Sequence, residues 1–436
     1  MVTIGKGAFC AGLFILCAAL GESRAVNNVL TAAEKKAGYI LLFDGADKNT
    51  HWRNNETGNT ANPWTIEDSA MRTVNSYSFL CTKATDQFSN FEWRIDWKLA
   101  KGGNSGLFIR VLTSTYNDGY EYGILDDVNG GDRGEVSKNP IDKLPSGKFP
   151  YIKRNGSIYD LYPTTKNGQI GGQYYDSTVS VPNGQWDKGV LFANGNFIEH
   201  WLNGKKVVDA EIGSAEWVAR FKNSKWNVAS LSVDKWSRQP TGSLCMQAHG
   251  DNADAWFRNI KVRPFTPGDT LVSPSFTPVG GDFSGTVKVG LEVAITGAAI
   301  HYTLDGSDPT ETSPLYTDSI TVNATTTIKA KTFRARFKNS STASAVFSKG
   351  GSGIATQDLS PAPEAFLEPI GNGFAVVNTK ADAFHATVLN VAGSVVAEFD
   401  MREATREHRV TGIKNGVYLI KLQRAGAISV RKIGLQ

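Results

Sequence analysis

Residues 102–127 contain two short apolar segments, GGNSGLFIR at 102–110 and GYEYGILDD at 119–127. Both are rich in aliphatic and aromatic residues and are bounded by Gly and Asn, a pattern typical of strands in a packed sheet. The segments also carry four polar side chains, those of Asn104, Arg110, Glu121 and Asp126. Because unpaired polar groups are costly inside a sheet, these side chains either satisfy one another or line a cleft for a polar ligand.

Other strands and turns can also be predicted from the sequence. Residues 91–99, FEWRIDWKL, alternate apolar with charged side chains, which predicts a half-buried antiparallel strand with Glu92 and Asp96 on the polar outer face. Asn203-Gly204 is a strong hairpin signal, because both central positions of the turn need positive φ. Many strands and turn signals without a convincing crossover helix predict an all-β fold, a two-sheet sandwich or jelly roll.

The chain has 436 residues, which favours two or three domains. All ten tryptophans lie between Trp52 and Trp256, so we place the first domain at residues 36–266. Residues 267–350 lack Trp and have short segments separated by Asp-Gly and Gly-Gly turns, which predicts a small β-sandwich. Residues 351–362 form a linker that begins with a flexible Gly/Ser run, and residues 363–436 are predicted to be a third small β-sandwich.

Residues 1–25 have the pattern of a secretory signal peptide. Lys6 is followed by an apolar run over residues 8–20 and by Ser23-Arg24-Ala25, a small-x-small cleavage pattern. We expect cleavage after Ala25 and a secreted or cell-surface protein. The apolar run is too short to span a bilayer, and no later stretch approaches about 18 apolar residues, so no transmembrane segment is expected in the mature chain.

Net charge, cysteine content and histidine spacing bear on which partners, disulfide bonds and metal ions the chain can be expected to have. A formal net charge of +4 is too small to indicate a nucleic-acid partner. Loss of the signal peptide leaves Cys81 and Cys245, which an oxidising compartment would allow to pair. Two cysteines so far apart are not a disulfide framework, so two buried thiols are favoured. The six histidines show no metal-ligand spacing, and no cofactor is evident, although a divalent cation is possible.

Strand alternation assigns side chains to faces. In LCMQAHG at 244–250 the apolar side chains share the face toward the core, and the opposite face carries Cys245, Gln247 and His249. In GYEYGILDD, Glu121 and Asp126 fall on opposite faces. Without a bulge, these two acids cannot both point into one cleft.

Several stretches together resemble the 3-keto-disaccharide hydrolase family, whose members look like concanavalin A-type jelly rolls. The resemblance runs over residues 38–264 and is carried by LLFDG at 41–45, FEWRIDW at 91–97, GGNSGLFIR at 102–110, GYEYGILDD at 119–127, IEHWLNGKKVVD at 198–209 and MQAHGDNADAWFRNIKVRP at 246–264. The chain departs from the family at Gly123, where the family usually has Gln, and at Ala248, where it has an acid.

The two later units have resemblances of their own. FTPVGGDFSGTVKV at 276–289, IHYTLDGSDPT at 300–310 and TTTIKAKTF at 325–333 resemble the C-terminal module of chitobiases and β-hexosaminidases, which lends no catalytic residues. VLNVAGSVV at 388–396 and NGVYLIKL at 415–422 resemble a type IX secretion sorting domain. This second resemblance implies the type IX secretion machinery as a partner.

The first resemblance implies an oligosaccharide or polysaccharide substrate whose sugar carries a ketone at C3. Such a ketone acidifies the C2 hydrogen, so that a base can remove it and the glycosidic substituent can leave. We expect Glu121 or His249 to be the base, with Asp126 as a further catalytic candidate. The expected substrate-holding side chains are those of Asn104, Arg110, Gln247 and Arg258.

Each candidate also has a purely structural interpretation: Glu121 as a solvated strand acid, His249 as a hydrogen-bonded structural histidine, Asn104 as a turn cap, and Arg110 or Arg258 as partners in ion pairs. The alternative function is a non-catalytic carbohydrate-binding surface protein, which Gly123 in place of Gln favours. Tryptophans would then act as sugar platforms only if exposed, as we expect for Trp236.

Overall fold

The computed structural model describes most of the chain but not its beginning. The predicted signal peptide and the linker at 351–362 lie outside the described residues. The described residues are 27–54, 64–73, 77–112, 119–129, 135–144, 146–148, 150–165, 179–250, 254–350, 365–370, 373–378, 383–390, 394–402, 407–413, 416–424 and 427–435.

The first unit is built from thirteen strands and little helix in its described residues. Its helices are α1 (Ala32–Ala37), a 3-10 turn (Pro140–Asp142) and α2 (Ala215–Lys222). Its strands are β1 (Ile40–Leu41), β2 (Trp52–Asn54), β3 (Trp64–Glu67), β4 (Ala70–Thr73), β5 (Ser78–Thr82), β6 (Phe91–Leu99), β7 (Asn104–Val111), β8 (Glu121–Leu125), β9 (Asp187–Asn194), β10 (Phe197–Leu202), β11 (Lys205–Glu211), β12 (Ser243–Ala248) and β13 (Ala255–Pro264).

These strands form two antiparallel sheets that pack face to face. The larger has the order β11-β10-β9-β6-β13-β4-β3, with β1 also paired to β13, and the smaller has the order β2-β5-β12-β7-β8. Trp93 and Trp97 from the larger sheet share one buried core with Leu107, Tyr122 and Met246 from the smaller. Alternate residues of each strand supply this core, and the predicted all-β jelly-roll sandwich is confirmed.

Helix α2 carries the chain from the larger sheet toward the smaller one. The Ser214 side chain caps its N-terminus by accepting a hydrogen bond from the backbone N–H of Trp217. Trp217 and Phe221 bury their rings in the main core. The anchored helix therefore fixes where the following segment, residues 223–237, begins.

The smaller sheet contains a disulfide bond. Cys81 on β5 lies directly opposite Cys245 on β12, and their sulfur atoms are bonded. The expectation of two free buried thiols is therefore wrong. Sequence separation could not reveal the pairing, because it is the insertion of β12 beside β5 that brings the two residues together. Phe79 and Phe108 pack around the bridge on the face opposite the main core.

The second unit is a small sandwich of a three-stranded sheet, β14-β16-β18, and a four-stranded sheet, β15-β20-β19-β17, around its own core. The predicted boundary after residue 266 falls between β13 and β14. The strands are β14 (Ser275–Thr277), β15 (Gly281–Phe283), β16 (Val287–Glu292), β17 (Ala299–Thr303), β18 (Ile320–Val322), β19 (Thr326–Phe333) and β20 (Ala343–Lys349).

The second unit covers the outer face of the larger sheet. Glu92 on β6 is fully buried there and accepts a 2.9 Å hydrogen bond from the backbone N–H of Thr296 in the second unit. Arg334 donates to Glu199 of β10 at 2.7 Å. Phe337 packs against Phe192 of β9 at a centroid distance of 6.0 Å. Strand alternation assigned Glu92 to the polar outer face correctly, and the second unit buries this face at Glu92.

The third unit again has two sheets, β21-β22-β25 and β24-β23-β26-β27. Its strands are β21 (Ala365–Ile370), β22 (Gly373–Asn378), β23 (Phe384–Asn390), β24 (Val395–Met401), β25 (Glu407–Thr411), β26 (Gly416–Arg424) and β27 (Ala427–Leu435). Within the described residues of all three units, no helix is long and apolar enough to cross a membrane.

Candidate functional site

A cavity of about 270 Å³ lies on the face of the smaller sheet that points away from the core. Strands β12, β7 and β8 form its floor, and residues 223–237 form one wall. Its lining combines acidic, basic, amide and aromatic side chains: Tyr77, Asn104, Phe108, Glu121, Tyr159, Lys225, Trp226, Val228, Leu231, Gln247 and His249.

Four of the residues predicted from the sequence meet in this cavity: Glu121, His249, Asn104 and Gln247. Asn104 and Glu121 come from the consecutive strands β7 and β8, whereas Gln247 and His249 come from the much later strand β12 and the residue that follows it. The three strands are adjacent in the sheet. Phe108 on β7 lies opposite both Glu121 on β8 and Cys245 on β12, and this register places the alternate residues of all three strands on one face. The face assignment from strand alternation is thus confirmed for Gln247 and Glu121.

The Glu121 side chain lies across the backbone of Gly106. A Cβ atom at residue 106 would be 2.8 Å from Glu121 Oε1 and 2.9 Å from Glu121 Cγ. Glu121 is only 5% exposed, and its backbone carbonyl accepts a 2.9 Å hydrogen bond from the N–H of Tyr159. The absence of a side chain at residue 106 therefore makes room for the Glu121 carboxylate in the cavity.

Two amide side chains that line the cavity carry acceptor atoms without partners. Asn104 Oδ1 and Gln247 Oε1 are both buried, and neither atom has a hydrogen-bond partner among the described residues. Gln247 is 4% exposed. A buried polar atom without a partner costs free energy, which a ligand that donates hydrogen bonds would recover. Hydroxyl groups of a sugar are donors of this kind.

An aromatic side chain lies beside the imidazole. The rings of Tyr77 and His249 make an edge contact with centroids 6.0 Å apart. Tyr77 remains 47% exposed, and Val228 is also 47% exposed. One side of the cavity is therefore apolar, whereas the sheet side is polar.

The segment after α2 contributes residues that the sequence did not single out. Lys225 Nζ is 3.9 Å from Glu121 Oε2 and 3.9 Å from the centroid of the Tyr159 ring. The Trp226 indole donates a 3.0 Å hydrogen bond to the carbonyl of Tyr159. The only sequence signal for this wall is the pairing of Lys with Trp in a Trp-rich loop, and no periodicity connects that loop to Glu121.

Asp126 does not share the cavity with Glu121. It lies beside a separate cavity of about 290 Å³, where its carboxylate accepts hydrogen bonds from the backbone of Gly102, Val128 and Asn129 and from the side chain of Asn183. Burial alone would raise the pKa of Asp126, but these donors lower it to about 2. A carboxylate held in this way is a poor proton acceptor and fixes a turn, so the structure does not support a catalytic role for Asp126.

Arg110 also lies outside the cavity. Alternation along β7 would place it beside Phe108, but Arg110 has φ of +54° and lies next to an irregularity in the pairing with β12. The turned backbone directs its guanidinium to the carbonyl oxygens of Ser89 and Gly195, at 2.6 Å and 2.7 Å. The expectation that Arg110 contacts substrate is therefore not supported by its position.

Arg258 belongs to the other sheet. Its guanidinium stacks over the ring of Trp186 at 3.8 Å and lies 3.9 Å from Asp96 Oδ2. It does not line the cavity, so the expected substrate contact is again absent. Trp236 is 2% exposed and packs against Trp226, so the expectation of an exposed sugar platform at Trp236 is wrong.

Gly123 is tightly enclosed. A Cβ atom there would be 2.8 Å from Leu125 Cδ1 and 3.0 Å from the carbonyl oxygen of Arg154. The chain at residues 154–157 thus occupies the space that a larger side chain at position 123 would need.

As for metals, no group of three His, Cys, Asp or Glu side chains in the described part of the chain is arranged to bind an ion.

Comparison with known proteins identifies relatives of the first unit. A curated 3-keto-disaccharide hydrolase of Bacteroides thetaiotaomicron is 28% identical over 255 residues, which span 52% of this chain and 78% of that protein. A crystal structure of a provisionally assigned glycosyl hydrolase of Parabacteroides distasonis is 28% identical, covering 55% of this chain and all of that one, with a TM-score of 0.43. A second from the same species is 23% identical and covers 49% of this chain and 99% of that one, with a TM-score of 0.34.

Two family models match the chain. Residues 278–346 are similar to the chitobiase/β-hexosaminidase C-terminal domain, in agreement with the resemblance seen in the sequence. Residues 38–263, more than half of the chain, match the 3-keto-α-glucoside-1,2-lyase-like domain. The matched region contains both sheets of the jelly roll and all four of the predicted residues that meet in the cavity. This chain therefore belongs to the 3-keto-α-glucoside-1,2-lyase-like family.

Proposed function

We propose that the chain is a carbohydrate-active enzyme that cleaves the glycosidic bond of 3-keto-glycosides. The observation that carries this proposal is the meeting of Glu121, His249, Asn104 and Gln247 in one cavity. A carboxylate and an imidazole supply groups that exchange protons, and the two amides supply partners for sugar hydroxyls. The name of the Bacteroides relative, 3-keto-disaccharide hydrolase, supports the same substrate class.

The chemistry follows from the ketone. Glu121 or His249 removes the proton from C2, and the electrons of the broken C2–H bond form an enolate whose negative charge lies on the C3 oxygen. Reformation of the C3 carbonyl places a double bond between C1 and C2 and breaks the bond between C1 and the glycosidic oxygen. The departing oxygen takes a proton from the second group or from water. Addition of water across the double bond completes the hydrolysis.

The full-length chain should release 4-nitrophenol from 4-nitrophenyl 3-keto-α-glucoside and not from the unoxidised glucoside. Removal of a general base typically lowers the rate by about 10²-fold or more, so His249→Ala or Glu121→Gln should cause such a loss. The matched controls are His385→Ala, at a half-buried residue of the third unit, and Glu311→Gln, at an exposed residue of the second. Wild-type turnover in both cavity variants would contradict the assignment.

A second candidate function is carbohydrate binding without catalysis, and the enclosure of Gly123 favours it. The resemblance in sequence places a Gln at this position in other members, and here residues 154–157 leave no room for one. A chain of this kind would retain glycans on an affinity column and release no product detectable by mass spectrometry. Cleavage of the keto-glycoside by the wild type would exclude this alternative.

We also propose that the protein is exported. The signal-peptide pattern of residues 1–25 supports this proposal, as does the resemblance of residues 363–436 to a type IX sorting domain, which predicts passage through that machinery. Sequencing the N-terminus of the protein recovered from the producing cells should give Val26 as the first residue. Retention of Met1 in protein from outside the cell would contradict the proposed cleavage.

A further inference from the structure

We propose that Lys225 is a catalytic residue whose ammonium group stabilises the enolate formed in the cavity. The inference rests on the proposed function, because it names the group that bears the charge of that reaction. Lys225 lines the same cavity as Glu121, His249 and Gln247. Neither the sequence patterns nor the family resemblance pointed to it.

The position of Lys225 is fixed by its surroundings. Its backbone N–H donates a 2.6 Å hydrogen bond to Asp160 Oδ2. Its ammonium lies 3.9 Å from the ring centroid of Tyr159 and 4.3 Å from that of Trp226. Aromatic faces attract a cation and remove part of its water shell. The charge is therefore held in place before substrate enters.

The wall that carries Lys225 is tied to the strand that carries Glu121. The N–H of Tyr159 donates to the Glu121 carbonyl at 2.9 Å, and the Trp226 indole donates to the Tyr159 carbonyl at 3.0 Å. Two hydrogen bonds thus connect β8 to the residue next to Lys225. A donor fixed in this way costs little reorganisation when charge develops. The Lys225 side chain itself is 43% exposed, so its ammonium is accessible to a ligand that enters the cavity.

The charges of the reaction explain why a cation is needed here. Before reaction, Lys225 Nζ faces the Glu121 carboxylate, with the nitrogen 3.9 Å from Oε2. When Glu121 accepts the C2 proton it becomes neutral, and one negative charge appears on the C3 oxygen of the sugar. Lys225 keeps its positive charge. Its ammonium group is then attracted to the negative C3 oxygen of the enolate instead of the neutral carboxyl group of Glu121. If His249 is the base, Lys225 still offsets the new negative charge.

The experiment compares Lys225→Met with Lys225→Arg in the full-length chain. Two rates are followed: release of 4-nitrophenol from the 3-keto-glycoside, and exchange of the C2 hydrogen of 3-keto-1,5-anhydroglucitol in D₂O by NMR. The second substrate has no glycosidic leaving group, so exchange of its C2 hydrogen reports enolate formation without glycosidic cleavage. Loss of one oxyanion donor costs about 10²- to 10³-fold in kcat, and we expect a loss of this size for Met in both assays, with a smaller loss for Arg.

The matched control is Lys222→Met, an exposed residue at the end of α2 that does not line the cavity. It should leave both rates unchanged. Circular dichroism and thermal melting establish that each variant is folded. Should Lys225→Met fail to fold, Lys225→Gln provides the neutral variant, and the same loss is expected for it.

The pH profile distinguishes catalysis from a structural role. If Lys225 served only to keep Glu121 ionised, its removal would move the acidic limb of the profile to higher pH and leave the plateau rate intact. That outcome, or plateau rates within about threefold of the wild type in both assays, would overturn the proposal for Lys225 while the proposed function stands. A wild-type protein inactive in cleavage and in exchange would instead overturn the proposed function and this proposal with it.

Discussion

At the scale of single residues, the cavity depends on an absent side chain as much as on those present. Glu121 lies where Gly106 leaves the sheet surface bare, and the two Cα positions belong to paired strands. The glycine therefore sets the position of the carboxylate. Its sequence context, a glycine within an apolar strand, indicates only that some close approach occurs there.

Gly106→Ala should lower kcat/KM for the keto-glycoside by about 10²-fold, because a misplacement of about 1 Å in a catalytic group can have an effect of this size. The added Cβ would meet only side-chain atoms of Glu121, which can rotate away, so the fold should persist. Steady-state kinetics and thermal melting measure the two effects.

Gly290→Ala is the matched control for that variant, because the nearest atoms around its added Cβ lie at 3.6 Å or beyond. It should match the wild type in both activity and melting temperature. Undiminished turnover in a folded Gly106→Ala protein would contradict the proposed placement of Glu121.

Residue patterns predicted the faces of β8 and β12 correctly, but strand alternation does not give the direction of Arg110. Alternation of side chains holds for regular strands, and Arg110 sits at a positive φ beside a pairing irregularity. Alternation placed Asp126 and Glu121 on opposite faces. It could not predict the five hydrogen bonds that Asp126 accepts, because their donors lie in loops without a regular sequence pattern. Patterns within one strand thus predict direction, whereas partners from distant loops need the folded chain.

At the scale of elements, the order of the smaller sheet brings the site together. Strand β12 lies between β5 and β7, although about 130 residues separate it from β7. This insertion brings Gln247 into the same cavity as Asn104 and places Cys245 opposite Cys81. The strands themselves were predictable from composition, but their order in the sheet was not, because antiparallel pairing gives no local signal for a partner so distant.

Replacing both cysteines by alanine should lower the free energy of unfolding by about 2–4 kcal/mol, because the bridge closes a loop with a sequence separation of 164. The KM for the keto-glycoside should also rise, since Cys245 pairs with Phe108 in the cavity floor. Urea unfolding and steady-state kinetics measure the two changes.

The wild type treated with reductant is the companion experiment, with thiol titration to establish that the bridge is open. It should follow the double variant in both measurements. Equal urea midpoints for the oxidised and the fully reduced protein would show that the bridge contributes no stability.

At the scale of the whole molecule, the second unit acts as a cover for the larger sheet. Arg94 and Arg263 surround the buried Glu92 carboxylate, and Thr296 reaches it from the second unit. A buried carboxylate with several charged and polar partners resists replacement, because removing it leaves the buried Arg263 and the half-buried Arg94 without their shared partner.

The free energy of unfolding should decrease as the pH falls, because Glu92 becomes protonated and its ionised form no longer stabilises the fold. Burial raises the pKa of Glu92, but Arg94 and Arg263 lower it more, to about 2. The pKa in the folded state is thus below the unfolded value of about 4.5, so this contribution is present above pH 4.5 and is lost as the pH falls toward 2. It amounts to something on the order of 3 kcal/mol.

Glu92→Gln removes the titration, so its deficit relative to the wild type should be largest at pH 7 and should narrow between pH 5 and pH 3. Denaturant unfolding followed by tryptophan fluorescence measures this, because every tryptophan lies in the first unit. Glu311→Gln, on an exposed residue of the second unit, should run parallel to the wild type at every pH. A pH-independent deficit for Glu92→Gln would contradict the role assigned to its ionised form.

The position of β12 also determines when the smaller sheet can be completed during translation. A growing chain has β5, β7 and β8 available early, but the place between β5 and β7 stays empty until residue 248 has left the ribosome. Until then the nascent protein presents two unpaired backbone edges, which are prone to join with other strands. The arrival of β12 therefore closes these two edges and completes the floor of the cavity, whereas the place between β6 and β4 in the larger sheet is filled later still, by β13.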